Sequence, residues 1–483
     1  MAASFFFYDL ETSGLSAGES RVMQFAGQRT DENLEPVGEP VNVFIKLASD
    51  VLPSPEAVLL TGITPQQTLT DGLTEAEFLK YFYDEVVQPN TTFLGFNSVR
   101  FDDEFMRYLH YRNFYDPYEW HWRDGCSRWD ILDLVRMTRA LRPAGIEWPF
   151  SEDGKPTNRL EMLTKLNGLK HAHAHDALSD VYATIDVTKL IRDRQPDLYR
   201  YLFESRGKQK SSELVLGGKP FVYTSGRYPS DTLSTSAAVL LADHPEEASG
   251  IVFDLRFDPL DYAALTVDEI VKVWRYDPHA KPTRKPVKTL KYNRCPAIAP
   301  LGVMNKPDVE ARLQLDMATV AQHYAALKSV HVELAGKVLA AQKVLDTERK
   351  AAYKDRTQPV NLRLYDGFMA AGDKSLMASI RQAKPAELDG YLGKLRDERL
   401  IELLPLYKAR NYPRALTSDE RAVWDAHCAA AIFDGGSNSP LAQYFGNLKE
   451  LGKTSGVTDN QRYLLEELQL YGESIMPSDA DAE

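Results

Sequence analysis

Near its front the chain reads Phe5-Phe6-Phe7-Tyr8-Asp9-Leu10-Glu11-Thr12, four apolar residues leading into two carboxylates one position apart. In a β-strand alternate side chains share a face, so Asp9 and Glu11 project together. Two anions held that close repel each other unless a cation or a proton sits between them. A strand that runs out to solvent and ends in surface acids gives the same short pattern, and D-x-E-T alone does not choose between the two. The rest of the chain decides.

Its 483 residues suffice for two to four domains with separate cores. A composition of 43% hydrophobic and 26% charged residues is that of a globular protein, and no apolar run is long enough to span a bilayer. The N-terminus lacks a basic segment, and Asp9 and Glu11 interrupt its one apolar cluster, so no signal peptide is expected. Cys126, Cys295 and Cys428 lie far apart without a C-x-x-C, which points to a reducing, cytoplasmic location, and without a spanning apolar run no membrane is expected. A net charge of −12 argues against indiscriminate nucleic-acid binding but leaves room for a local basic groove.

Met23–Gln28 and Val41–Ile45 read as further strands of a front sheet. Leu73–Val87 carries a helical pattern, with Phe78, Phe82 and Val86 at four-residue steps. Thr92–Phe96 is a short strand, and Asn97-Ser98 before Asp102-Asp103-Glu104 reads as an N-cap with an acidic first turn. Such acids ordinarily complement the helix dipole, which gives Asp102 a structural explanation too. Residues 108–129 hold eight aromatics with Arg107, Arg112, Arg123 and Arg128 among or beside them. That mixture suits either unstacked bases and their phosphates or an aromatic core edged by arginine stems.

Arg159–Gly168 reads as a helix closed by a glycine cap, with Leu160 and Leu163 inward. His171-Ala172-His173-Ala174-His175-Asp176 then runs into a helix with Val181, Ile185 and Thr188 on one stripe. Alternating histidines on a loop without a nearby cysteine make a weak zinc site. His175 with Asp180 is the more telling pair, a loop-borne imidazole beside an acid fixed in a helix start.

Arg206–Ser212 has the composition of a linker. Pro220–Thr224, Ala237–Leu241 and Gly250–Leu255 read as strands of a small β-rich module. From Lys272 to Arg294 there are eight basic residues against one acid, Asp277, interleaved with Trp274, Tyr276 and Tyr292. This reads as a nucleic-acid track, with a solvated charged face as the alternative. Leu334, Val338, Ala341 and Leu345 have helical spacing, and Thr347–Gln358 is a connector or an exposed helix. Residues 375–471 are helical in pattern, with Leu400, Leu403, Leu404 and Tyr407 on one face and a capping box at Thr417 and Glu420. The acidic tail Ser478–Glu483 is expected to be disordered.

Asp9, Glu11, Asp102 and Asp180 converge if a sheet edge meets two helix starts, and four carboxylates in one pocket require divalent cations. Two Mg²⁺ ions ~3.5–4 Å apart would make the clamp for in-line phosphoryl transfer, one activating a water and the other stabilising the leaving 3′-oxygen. An imidazole with an ordinary pKa of about 6.5 suits a general base near neutral pH, which assigns His175.

Asp9-x-Glu11-Thr12, Asn97-x-x-x-Phe101-Asp102 and His175-x-Ala177-x-x-Asp180 resemble the three ordered motifs of the DEDDh 3′→5′ exonuclease superfamily. Arg112–Tyr118, Ser127–Asp130, Leu364–Phe368 and Ala409–Pro413 extend the resemblance to bacterial exonuclease I over nearly the whole chain, least in residues 228–290 and at the C-terminus. The resemblance implies an α/β architecture: an RNase H-like exonuclease domain (1–195), an SH3-like β-rich domain with the basic track (196–346), a helical C-terminal domain (347–475) and an acidic tail (476–483). It implies processive degradation of single-stranded DNA to 5′-mononucleotides in DNA repair and recombination, by a monomer using Mg²⁺, with Mn²⁺ as a substitute. Docking of the acidic C-terminal tail of single-strand-binding protein is also implied. The catalytic set is His175 with the metal ligands Asp9, Glu11, Asp102 and Asp180. The expected DNA contacts are Glu11, Arg159, Arg107, Tyr118, Trp122, Arg136, Tyr201, Lys208, Lys288, Lys291, Asn293 and Arg294. An exoribonuclease or proofreading nuclease on the same domain, and a nucleic-acid scaffold without catalysis, are the competing readings. The long remainder with its own basic track speaks against the former, and the complete catalytic set against the latter.

Overall fold

The computed structural model describes residues 4–171, 176–275, 285–354 and 358–476. The chain divides into two units, one of residues 1–127, 172–182 and 358–483, the other of 128–171 and 183–357. Both combine sheet and helix, so the α/β expectation holds.

In the first unit the opening stretch becomes β1 (Ser4–Thr12), followed by β2 (Val22–Thr30), β3 (Val41–Phe44), β4 (Thr91–Gly95) and β5 (Ser127–Asp130), the last carrying the chain into the second unit. The sheet order is β3-β2-β1-β4-β5. β1 runs antiparallel to β2, with Tyr8 opposite Gly27 and Asp9 opposite Ala26, and parallel to β4, with Phe7 opposite Leu94. Phe6, Tyr8 and Leu10 share one face and pack into a core with Phe25, Phe78, Phe82, Phe93 and Trp120. Full burial of one such side chain stabilises the fold by about 1.5–3 kcal/mol. Gly27 is required here, because a Cβ at that position would lie 2.3 Å from the Phe6 ring.

The four-residue spacing of Phe78, Phe82 and Val86 holds, and all three are buried. The helix Glu75–Tyr81 opens on a Thr74–Glu77 capping box and loosens into a single π-helical turn over Phe82–Val86. The expected cap at Asn97-Ser98 is corrected. Asn97 is left-handed (φ 69°), and the helix spans Asp102–Arg112 without a side-chain cap. The Asp103 backbone N–H instead donates to the Ser98 carbonyl over 2.9 Å. Further on, the helix Glu398–Asn411 buries Leu400, Leu403, Leu404 and Tyr407, and Ser418–Phe433 opens on the Thr417–Glu420 capping box, both as expected.

The second unit holds an antiparallel sheet of order β10-β6-β7-β8-β9, formed by β6 (Phe221–Thr224), β7 (Thr235–Asp243), β8 (Ser249–Asp254), β9 (Val287–Lys291) and β10 (Ala297–Pro300). The linker expectation for Arg206–Ser212 is wrong. Lys208–Leu216 is a helix, because buried Ser211 donates its hydroxyl to the Ser205 carbonyl and Val215 enters the core, which composition alone does not reveal. Leu160 and Leu163 are buried in the helix Leu160–Leu166, and Gly168 follows it with φ 66°. The helix Met317–Lys354 buries Leu334, Val338 and Ala341 and takes in Thr347–Lys354 as well. Among the described residues no helix is long and apolar enough to cross a membrane. The acidic tail lies outside the described residues.

Candidate active site

Strand alternation brings Asp9 and Glu11 to one side of β1, and the register of β1 against β2 slips between Glu11 and Thr12. A bulge of this kind ends regular pairing and re-aims the side chains beside it. The helix Ala177–Arg194 supplies Asp180 from its first turn. Tyr182, in the next turn, ties the helix to β2 by donating its hydroxyl to Gln28 Oε1 over 3.1 Å. Carboxylate oxygens of Asp9, Glu11 and Asp180 all lie within 4.8 Å of one another. Asp102, the first residue of its helix, is buried and close enough to Asp9 to repel it.

The electrostatics follow from this crowding. Burial, then Asp102, Asp180 and Asp176, push the Asp9 carboxyl well above its usual range. Glu11 is pushed up to about 9 by burial, then by Asp9, Asp180 and Asp176. Without a counter-cation this cluster cannot hold all of its negative charge near neutral pH. Its donors are oxygens only, which fits a hard divalent cation such as Mg²⁺ or Mn²⁺ and not a soft one.

Asp176, Tyr8 and Asp103 join the site without belonging to any of the three sequence motifs. Asp176 Oδ1 accepts the Ser179 backbone N–H over 2.9 Å, so Asp176 caps the helix that carries Asp180. An Asx residue three positions before Ser179 was a readable signal. Tyr8 donates its hydroxyl to Asp103 Oδ1 over 2.6 Å, a pairing between distant residues that no local pattern announces. His175, the expected base, and His173 lie outside the described residues. His171 Nδ1 is 3.0 Å from the Thr164 hydroxyl.

The aromatic stretch divides as its two readings allowed. Tyr111, Phe114, Trp120 and Trp129 are buried, as are Arg107, Arg112 and Arg128, whereas Trp122 is 58% exposed. Arg107 pairs with Glu104 at 2.5 Å and stacks on the Tyr118 ring at 5.3 Å. Glu104 also accepts from the Tyr365 hydroxyl. These two expected contacts therefore stand beside each other with the arginine already neutralised.

The remaining expected contacts belong to the second unit. Arg159 and Lys208 are exposed, Tyr201 is half-buried, and Arg136 pairs with Asp133 at 2.7 Å. Within the basic track, Lys288 Nζ donates to the Arg227 carbonyl over 2.7 Å and lies over the Tyr228 ring. Lys291 pairs with Glu247 at 2.8 Å, and Lys285 donates to the Trp274 and Arg275 carbonyls. The exposed Asn293 gives its backbone carbonyl to Arg128, and Arg294 is half-buried. Residues 276–284 of the track lie outside the described residues.

Three family models match the chain: Exonuclease over residues 6–188, Exonuclease I SH3-like domain over 206–343, and Exonuclease I C-terminal domain over 358–475. The Haemophilus influenzae exodeoxyribonuclease I is 37% identical over 98% of this chain and 99% of its own length. Among solved structures, exonuclease I from Methylocaldum szegediense superposes with a TM-score of 0.89 at 39% identity, covering 99% of this chain and 100% of that one. Escherichia coli exonuclease I in complex with a dA16 oligonucleotide gives 0.90 at 36% identity, covering 98% and 100%. E. coli exonuclease I has also been solved as a zinc ion bound form of its ssDNA complex, and a further similar structure is SSB/Exonuclease I in complex with an inhibitor. With an exonuclease domain, an SH3-like domain and a C-terminal domain in that order, and with relatives matched over almost their whole length, this chain belongs to the exodeoxyribonuclease I family.

Proposed function

We propose that the chain hydrolyses single-stranded DNA from its 3′ end, processively, releasing 5′-mononucleotides with the help of two Mg²⁺ ions, for which Mn²⁺ can substitute. The observation that carries this reading is the convergence of Asp9, Glu11 and Asp180 within 4.8 Å, in a place where burial and repulsion disfavour the charge of Asp9 and Glu11. These three with Asp102 would hold the cations. When bound, the cations supply positive charge that neutralises the phosphodiester and the leaving oxygen.

The chain's own residues divide the remaining work. The His175 imidazole accepts the proton of the water that attacks phosphorus. The phosphorus–O3′ bond then breaks, the released nucleotide keeps the phosphate at its 5′ end, and the shortened strand keeps a 3′-hydroxyl. Arg159, Arg107, Tyr118, Trp122, Arg136, Tyr201 and Lys208, with Lys288, Lys291, Asn293 and Arg294 of the track, would contact phosphates and bases. The E. coli complex with dA16 supports single-stranded DNA as the substrate, and SSB/Exonuclease I supports a single-strand-binding protein as partner.

The reading also takes residues 1–195, 196–346, 347–475 and 476–483 as the domains and tail, and a cytoplasmic monomer acting in DNA repair and recombination. Digestion of 3′- and 5′-labelled single-stranded DNA and RNA with Mg²⁺, and with EDTA as control, tests it. A 3′-labelled DNA strand should lose its label first as mononucleotide, only with the cation. Loss of a 5′ label first, equal attack on RNA, or full activity in EDTA would overturn the reading.

A further inference from the structure

The regular ladder between β1 and β4 ends at Phe7 opposite Leu94, two residues before Asp9. From there the chain turns through Asn97, with its left-handed backbone, before Asp102 opens the next helix. Main-chain pairing of the two strands therefore does not fix Asp102 against Asp9. A side-chain bond spans the gap. Tyr8, the residue before Asp9, donates its hydroxyl to Oδ1 of Asp103, the residue after Asp102, over 2.6 Å. Both side chains are buried, at 3% and 1% exposure.

Alternation sends Tyr8 to the face of β1 opposite Asp9 and Glu11, where its ring packs against Phe25 and Trp120, each at 6.0 Å between centroids. The acceptor is held as firmly, since the Asp103 backbone donates to the Ser98 carbonyl. Three consecutive acids thus have three surroundings. Asp102 lies against Asp9, Asp103 takes the Tyr8 hydroxyl, and Glu104 takes Arg107 and Tyr365. Asp9 and Asp102 repel each other, so a restraint is needed to keep them close before a cation arrives.

We propose that the Tyr8–Asp103 hydrogen bond is a latch that keeps Asp102 beside Asp9, against their repulsion, until a divalent cation binds. It makes Tyr8 and Asp103 positioning residues for the family's reaction. The inference rests on the metal-ion reading given above. Tyr8→Phe removes only the hydroxyl and leaves the ring packing in place.

The test is direct titration of DNA-free protein with Mn²⁺, read by calorimetry or by the electron-spin signal of free Mn²⁺, beside thermal melting in EDTA. Groups that orient metal ligands typically contribute 10- to 100-fold in affinity, and Tyr8→Phe is expected to weaken Mn²⁺ binding by about 10-fold. Asp103→Asn keeps an oxygen acceptor and should keep wild-type affinity, whereas Asp103→Ala should behave like Tyr8→Phe. Binding of DNA in EDTA should not change in Tyr8→Phe. Wild-type Mn²⁺ affinity in Tyr8→Phe, with or without a lower melting temperature, overturns the latch. Loss of affinity in Asp103→Asn equal to that in Asp103→Ala overturns it as well. No Mn²⁺ binding by the wild-type protein removes the metal-ion reading itself, and the latch with it.

Discussion

Glu75 Oε1 accepts from Arg112 Nη2 at 2.7 Å with both side chains buried. Glu75 Oε2 takes Asn113 Nδ2, and Asn113 Oδ1 takes Asn411 Nδ2, so one network joins Glu75, the end of the Asp102–Arg112 helix and the end of the Glu398–Asn411 helix. The Glu75 carboxyl is itself buried, and Arg112 holds it below the usual carboxylate range. Glu75→Ala leaves a buried guanidinium without its partner and should destabilise the fold by about 3–5 kcal/mol. Denaturant unfolding measures this. A loss of less than about 1 kcal/mol would mean that water replaces the carboxylate.

Replacing Asp9, Glu11, Asp102 or Asp180 by Ala should nearly abolish hydrolysis while DNA still binds, because on the proposed reading each would supply oxygens to the cations. The crowding adds a second expectation for Glu11→Gln. It removes a carboxylate that its neighbours oppose, so in EDTA this variant should melt no lower than wild type. Added Mg²⁺ should then raise the melting temperature of wild type more than that of the variant. Near-wild-type turnover in saturating Mg²⁺ would remove the substituted residue from the site.

His175→Ala should lower turnover by on the order of 10²–10⁴, the usual range for a lost general base. The deficit should shrink at high pH, where hydroxide needs no base. An equal loss at every pH would assign His175 a structural role.

His110 gives the fold an acid-sensitive point. Its Nδ1–H donates to the Met106 carbonyl over 2.6 Å, and its Nε2 is buried without a hydrogen-bond partner. Burial lowers its pKa from 6.5 to about 4. The unfolded chain takes up the proton first as pH falls, so this contribution is present above pH 6.5 and lost between 6.5 and about 4. The full loss is on the order of 3 kcal/mol. His110→Phe, which keeps ring contacts with Phe82, Tyr83 and Trp120, should flatten the fall in stability across that window. Urea unfolding from pH 7 to 4 is the measurement, and an unchanged slope would clear His110.

Neutralising Lys285, Lys288, Lys291 and Arg294 together should flatten the salt dependence of single-strand binding by about 0.7 per lost phosphate contact. Long strands should be released sooner, while a trinucleotide is cut at a nearly unchanged rate. To contact a phosphate Lys291 would have to give up Glu247, so Glu247→Gln should bind DNA more tightly at low salt. Loss of both activities together would make the track structural, and loss of neither would make it a solvated face.

Local periodicity was enough to read the elements whose contacts lie within a few residues. Alternation along Phe5–Thr12 placed Asp9 and Glu11 on one side of a strand, and the steps Phe78-Phe82-Val86 and Leu400-Leu403-Leu404-Tyr407 marked faces that are buried. The Thr417–Glu420 capping box was legible because both of its bonds join residues three apart. Tertiary structure decided what depends on partners far away in the chain. Ser211 and Val215 turned a linker-like composition into a helix because each found a partner or a core to enter. Most arginines and tryptophans of residues 107–129 went inside, since Glu75 and Glu104 were there to neutralise the charge of Arg112 and Arg107. Asp9, Glu11 and Asp180 became one site only when a strand met a helix far along the chain, and the energy of that meeting comes from packing that no short window of sequence contains.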